Sequence, residues 1–120
     1  TNLPFADASF DIVMDGVAIM HIFDHRRAIA EMARVARSHV ILHSVPVFDD
    51  HPDAWLFKYA YGEAVTERVA NRAGFEADLT AAGLEIMHSA LALPYDVSRI
   101  VGASSHSRTY LCRKIEKVSA

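Results

Sequence analysis

The chain has 120 residues, of which 52% are hydrophobic and 22% charged, and it carries a formal net charge of −3. That length and balance suit one globular domain with its own core and exclude a disordered chain. The mildly negative charge, with no basic block, leaves no electrostatic footprint for nucleic acid.

Cys112 is the only cysteine, so an intrachain disulfide is excluded and a cytoplasmic location is expected. Apolar runs such as Val40-Ile41-Leu42 are too short to span a bilayer. No secretory leader pattern opens the chain, and no internal repeat is visible.

In chain order, Phe10 to Met14 reads as a short strand whose near-continuous apolar character fits burial on both faces. It ends at Asp15-Gly16. Asp24 offers an N-cap for a helix over about Arg26 to Arg37. In that helix Ile29, Met32, Ala33 and Ala36 share one face, while Arg27, Glu31 and Arg34 take the other, placing Glu31 to pair with either arginine. After a break at Ser38-His39, the β-branched run Val40 to Val45 is a second strand, closed by Pro46.

Asp49 to Asp53 is a polar loop. Ala54 to Tyr61, rich in aromatics, reads as a short helix or an irregular lid, and Glu63 to Ala70 as a short extended piece. Asn71 caps a helix over Ala73 to Ala82, with Phe75, Leu79 and Ala82 inward and Gly83 as its stop. Leu84 to Leu93, ended by Pro94, and Arg108 to Ile115 are two further strands. A loop over Gly102 to Ser107 separates them, and they are expected to pair antiparallel. The alternation is that of an α/β fold with right-handed β-α-β crossovers, mostly parallel, with an antiparallel strand and helices mainly on one face.

Leu3-Pro4-Phe5-x-Asp7-x-Ser9-Phe10-Asp11-Ile12-Val13 resembles a signature of class I S-adenosylmethionine (SAM)-dependent methyltransferases of the type 11 kind. His21-Ile22-x-Asp24 resembles that family's histidine-hydrophobic-x-aspartate segment. Ala28-Ile29-x-Glu31-Met32-Ala33-Arg34-Val35 resembles the helix that follows, and Ala82-Gly83-Leu84-Glu85-Ile86 the entry to its sixth strand. The run from Leu3 to Val35 is specific, because dissimilar elements recur in register.

The resemblance implies a Rossmann-like fold in which this chain supplies the family's fourth, fifth, seventh and sixth strands, in that spatial order. Two features depart from the family. Ser38-His39 stands where a Pro-Gly-Gly turn is usual. There is also no G-x-G among the 120 residues, nor the acidic residue that fixes the cofactor ribose. With the non-methionine start at Thr1, this leads to the expectation that residues 1–120 form a single partial domain, the C-terminal part of a methyltransferase. Such a domain lacks the N-terminal glycine-rich half, binds SAM poorly alone and is inactive in isolation.

Ligands of open α/β sheets bind beyond the carboxyl ends of strands. By resemblance, Asp15, Gly16, Val17 and His21 would line the SAM site, with His21 as the candidate base near the transferred methyl group. Ser44 at the end of the second strand, with Trp55, Tyr59 and Tyr61, would contact the substrate. The plainer alternatives are a simple turn at Asp15-Gly16, a His21 that only bonds backbone, and aromatics that serve a core or subunit contact. His21 and His25 have the spacing of a helical metal pair but lack a convincing third ligand, so no metal is expected.

The activity implied is methyl transfer from SAM to a small-molecule acceptor. The alternative is a non-catalytic half-domain that binds or dimerises. Without its inner neighbour, the first strand would offer an apolar edge, and one sheet face would lack cover; a homo-oligomer is therefore expected, with no nucleic acid partner and no membrane span.

Overall fold

A computed structural model of the chain describes residues 2–60 and 62–115. Six strands form one sheet: β1 (Phe10–Gly16), β2 (Ala36–Phe48), β3 (Ala54–Ala60), β4 (Glu63–Asn71), β5 (Leu84–Leu91) and β6 (Ser105–Lys114). The helices are α1 (His25–Val35), α2 (Arg72–Ala81) and the single turn α3 (Ser98–Val101), and a 3-10 turn spans Ile19–His21.

β2 is the spine. Along one edge it pairs antiparallel with β6, which in turn pairs antiparallel with β5. Along the other edge, β1 lies parallel to its first part, from Phe10↔Ala36 to Gly16↔His43. β4 joins the same edge higher up, parallel at Val47↔Ala70 and Phe48↔Asn71, and carries β3 outward as an antiparallel hairpin. The order β1-β2-β6-β5 is the one expected from the resemblance, and β1-α1-β2 is the expected parallel unit.

Both helices pack on one face, as expected. The core beneath them joins Ile29, Met32 and Ala33 of α1, Phe75 and Leu79 of α2, and Val40, Leu42, Tyr110 and Cys112 of the sheet. The caps are as read. Asp24 accepts the N–H of Arg27 at 3.3 Å, Asn71 Oδ1 accepts that of Gly74 at 3.0 Å, and Gly83 leaves α2 at φ +82°.

Four boundaries differ from the sequence reading. First, no break falls at Ser38-His39: α1 stops at Val35 and β2 starts at once, because pairing with β1 begins at Ala36. Second, Pro46 does not close β2. It lies above the last β1 pair at His43 and below the first β4 pair at Val47, in a stretch where that edge has no ladder partner.

Third, Ala54–Ala60 is a strand, not a helix or irregular lid. Trp55, Phe57 and Tyr59 alternate at the strand period of two, and aromatic residues favour a pleated surface. The extended reading of Glu63 onward holds. Fourth, the expected loop over Gly102 to Ser107 is shorter. Gly102, at φ +84°, ends α3, and β6 begins at Ser105 because β2 runs on to Phe48 to meet it.

Candidate functional site

The carboxyl ends of β1 and β2 point the same way, and the chain leaves β1 through a tight turn. Gly16 is still paired with His43, and a Cβ placed on it meets nothing within 4 Å. The left-handed residue is the next one: Val17 has φ +63°. A β-branched side chain held there costs about 1–3 kcal/mol, a strain that concentrates where chain direction serves a site. Ser44, beyond β2's last pair with β1, is likewise left-handed at φ +57°.

The turn is fixed from below by Asp15. Its carboxylate is buried, and Oδ2 accepts the N–H of Ile19 at 3.1 Å and that of Ala18 at 3.4 Å. Asp15 thus caps the 3-10 turn that carries His21, instead of presenting both oxygens to solvent.

His21 is oriented by β4. Its Nδ1 lies 2.8 Å from the carbonyl oxygen of Thr66. A carbonyl only accepts, so Nδ1 carries a proton, and the nitrogen left to exchange one is Nε2. Two residues on, Phe23 stacks on Trp55, with ring centroids 4.5 Å apart and planes 18° apart. These two contacts pin the β3–β4 hairpin across the tip of β1.

The proposed substrate residues separate. Trp55 joins this cluster through Phe23. The Ser44 side chain is buried toward β6, with Oγ 3.1 Å from Ser107 Oγ, while its N–H donates to Thr109 Oγ1 at 3.2 Å. Tyr59 stands in solvent at 79% exposure. Tyr61 lies outside the described residues. The paired histidines also diverge, since His25 turns to Asp78 at 2.8 Å. Among the described residues no group of three or more His, Cys, Asp or Glu side chains is placed to hold a metal.

Sequence reasoning missed the charged cluster beneath the hairpin. Arg68, 4% exposed, reaches Asp53 Oδ2 at 3.2 Å and His25 Nε2 at 3.0 Å. Its Nε is buried without a partner among the described residues. Burial pulls its guanidinium below the usual arginine value, against the opposing pull of Asp53. At Asp78, burial works to raise the carboxyl, but hydrogen bonds from His25 and Arg26 outweigh it and hold the group below its ordinary value. The adjacent charged pair Glu67-Arg68 in the strand was the available signal: side chains alternate across a strand, so the two project from opposite faces and at least one of them turns toward a packed side when both faces are covered.

Comparison with known proteins gives the same picture. A family model described as a methyltransferase domain matches residues 1–43. No curated protein matches. Among solved structures, the chain is similar to a SAM-dependent methyltransferase from Methanosarcina mazei, at TM-score 0.67 and 16% identity over 97% of this chain and 64% of that one. It is similar to the 1,6-didemethyltoxoflavin-N1-methyltransferase of Burkholderia thailandensis, solved with 1,6-didemethyltoxoflavin and S-adenosylhomocysteine, at TM-score 0.63 and 17% identity over 93% of this chain and 47% of that one. A third is a SAM-dependent methyltransferase from Mesorhizobium loti, at TM-score 0.62 and 14% identity over 95% and 65%. The chain spans about half to two thirds of the length of these structures. The resemblance to SAM-dependent methyltransferases is therefore one of sequence over the opening third of the chain and one of fold over nearly all of it.

Proposed function

We propose that this chain is the acceptor-side half of a SAM-dependent methyltransferase that modifies a small molecule. The observation that carries the reading is the β1 tip. There an open Gly16, a strained Val17 and a backbone-oriented His21 converge at the carboxyl end of a parallel strand.

The residues fit one side of the cofactor. Gly16 leaves room for close backbone approach, and Asp15 places a carboxylate under the tip, favourable to a sulfonium cation. When bound, the cofactor supplies an electrophilic methyl group. The work of this chain is to orient and to manage a proton. His21, fixed through Nδ1, offers Nε2 to an acceptor hydroxyl or amine. Phe23 and Trp55, stacked together, set an aromatic surface on that side. The glycine-rich half of the cradle is placed by this reading outside these 120 residues, and the isolated chain is accordingly inactive. The net charge of −3 supports a small-molecule acceptor rather than nucleic acid, and the single buried Cys112 suits the cytoplasm. Among the described residues no helix is long and apolar enough to cross a membrane.

The test is SAM turnover by the open reading frame that encodes this chain, taken at full length, on a panel of small planar acceptors. Turnover supports the reading, and failure to bind S-adenosylhomocysteine at millimolar concentration overturns it.

A second reading, a half-domain that dimerises, is favoured by one observation. Phe10, Ile12 and Met14 of β1 are 41, 56 and 61% exposed on the face away from the helices, and β1 has no partner on its outer edge among the described residues. Sedimentation of the chain at micromolar concentration tests it: a dimer is expected, and a strict monomer contradicts it.

A further inference from the structure

A cleft of about 410 Å³ lies between the β3–β4 hairpin and the β5–β6 connection, lined among others by Leu56, Lys58, Glu67, Tyr95, Val97 and Ile100. It sits on the face of β4 opposite Arg68, since Glu67 and Val69 point away from the helix side. Its size is that of a small-molecule site, and its walls are mainly apolar with a few convergent polar groups.

The polar floor is specific. Glu67 is 3% exposed, and both of its described partners use the same oxygen: Tyr95 Oη donates to Oε2 at 2.8 Å, and Lys58 Nζ lies 2.9 Å from Oε2. Among the described residues nothing donates to Oε1. Among the described residues the buried side-chain atoms without a partner are Arg68 Nε and His106 Nε2, and Glu67 Oε1 is not one of them, so Oε1 keeps contact with solvent. Burial and the bond to Glu67 hold the Tyr95 phenol protonated, above the usual tyrosine range. Tyr95 therefore spends its proton on Glu67 and keeps oxygen lone pairs to accept. The cleft combines two unused acceptors, a carboxylate already balanced by Lys58, and an apolar wall of Leu56, Val97 and Ile100. A balanced carboxylate has no need of a cationic ligand, and the free acceptors select a donor.

We propose that this cleft binds an uncharged, planar, largely apolar small molecule that directs an O–H or N–H at Glu67 Oε1. The inference goes beyond the methyltransferase reading and needs no cofactor, because its polar floor, Glu67, Tyr95 and Lys58, is separate from the Gly16–His21 tip, and Trp55 turns its ring to the other face.

Occupancy is read by calorimetry, because the Trp55 indole, paired opposite Arg68 and stacked on Phe23, lies on the other face of the hairpin. The experiment titrates the chain, without SAM, with 2-naphthol and with 2-methoxynaphthalene, which has the same ring but no donor. Saturable heats are expected with both, tighter by about tenfold for 2-naphthol. The near-isosteric Glu67→Gln keeps an acceptor for Tyr95 and is expected to erase that preference. Ile100→Phe, at a side chain 75% exposed, leaves the fold untouched and narrows the mouth, so both probes should weaken. Equal affinity for the two probes, or affinities unaffected by Ile100→Phe, overturns the proposal. If Glu67→Gln does not fold, the probe comparison and Ile100→Phe still decide. Failure here leaves cofactor binding at Gly16 untouched, and the converse holds.

Discussion

The Asp15 carboxylate accepts the backbone N–H of Ile19 at 3.1 Å, so the last inward-facing residue of β1 also starts the turn that delivers His21. Cap and charge can be separated by mutation. Asp15→Asn keeps an oxygen for Ile19 and should leave stability within about 0.5 kcal/mol, whereas Asp15→Ala should cost about 1 kcal/mol in urea unfolding. Only the loss of charge, common to both variants, should weaken attraction for a cation at the tip.

While it is bonded to Thr66, His21 carries a proton on Nδ1. Nitrogen chemical shifts of the imidazole above pH 8 are expected to report Nδ1 protonated and Nε2 bare. The opposite tautomer would remove His21 as a base. His21→Asn, which retains a short amide donor for Thr66, should preserve the hairpin position better than His21→Ala.

Asp78 ties α1 to α2, bonding His25 at 2.8 Å and Arg26 at 3.1 Å. Its carboxyl is held below the ordinary 3.8, so the folded state binds that proton less readily than the unfolded chain. The stability it confers is in place above the ordinary value and is lost as pH falls through the lower folded value. Acid titration of the unfolding free energy should therefore decline below about pH 4, and Asp78→Asn should flatten that decline while costing about 1–3 kcal/mol at neutral pH.

Cys112 is fully buried, and burial pushes its thiol up to about 11. Reaction with a thiol reagent at pH 8 should follow global unfolding and accelerate in urea with the unfolding midpoint. Rapid labelling of the native chain would show that the sheet opens locally at β6.

The parallel β1-α1-β2 unit was legible because its signals are local: an apolar run, a capping aspartate and a face of Ile29, Met32 and Ala33. The antiparallel end of the sheet was legible from Gly83 and Pro94. The hairpin was not, because Trp55, Phe57 and Tyr59 resemble a lid in composition, and only their period of two marks a strand. The reach of β2 through Pro46 was hidden too, since it depends on which neighbours pair at that height. At the site, the Gly16 tip could be read from the strand end. The Thr66 carbonyl that sets the His21 tautomer, and the Glu67–Tyr95 floor, depend on contacts 45 and 28 residues apart in sequence, which no local pattern encodes.

Gly16→Val tests the central claim most directly. The substitution meets no atom within 4 Å and Gly16 sits at ordinary strand backbone, so thermal stability should not fall. In the full-length reading frame the affinity for S-adenosylhomocysteine, measured by calorimetry, should drop roughly tenfold or more, because the isopropyl group fills the space the cofactor needs. A folded Gly16→Val protein that binds S-adenosylhomocysteine as tightly as the parent would contradict the assignment of the β1 tip as the cofactor wall.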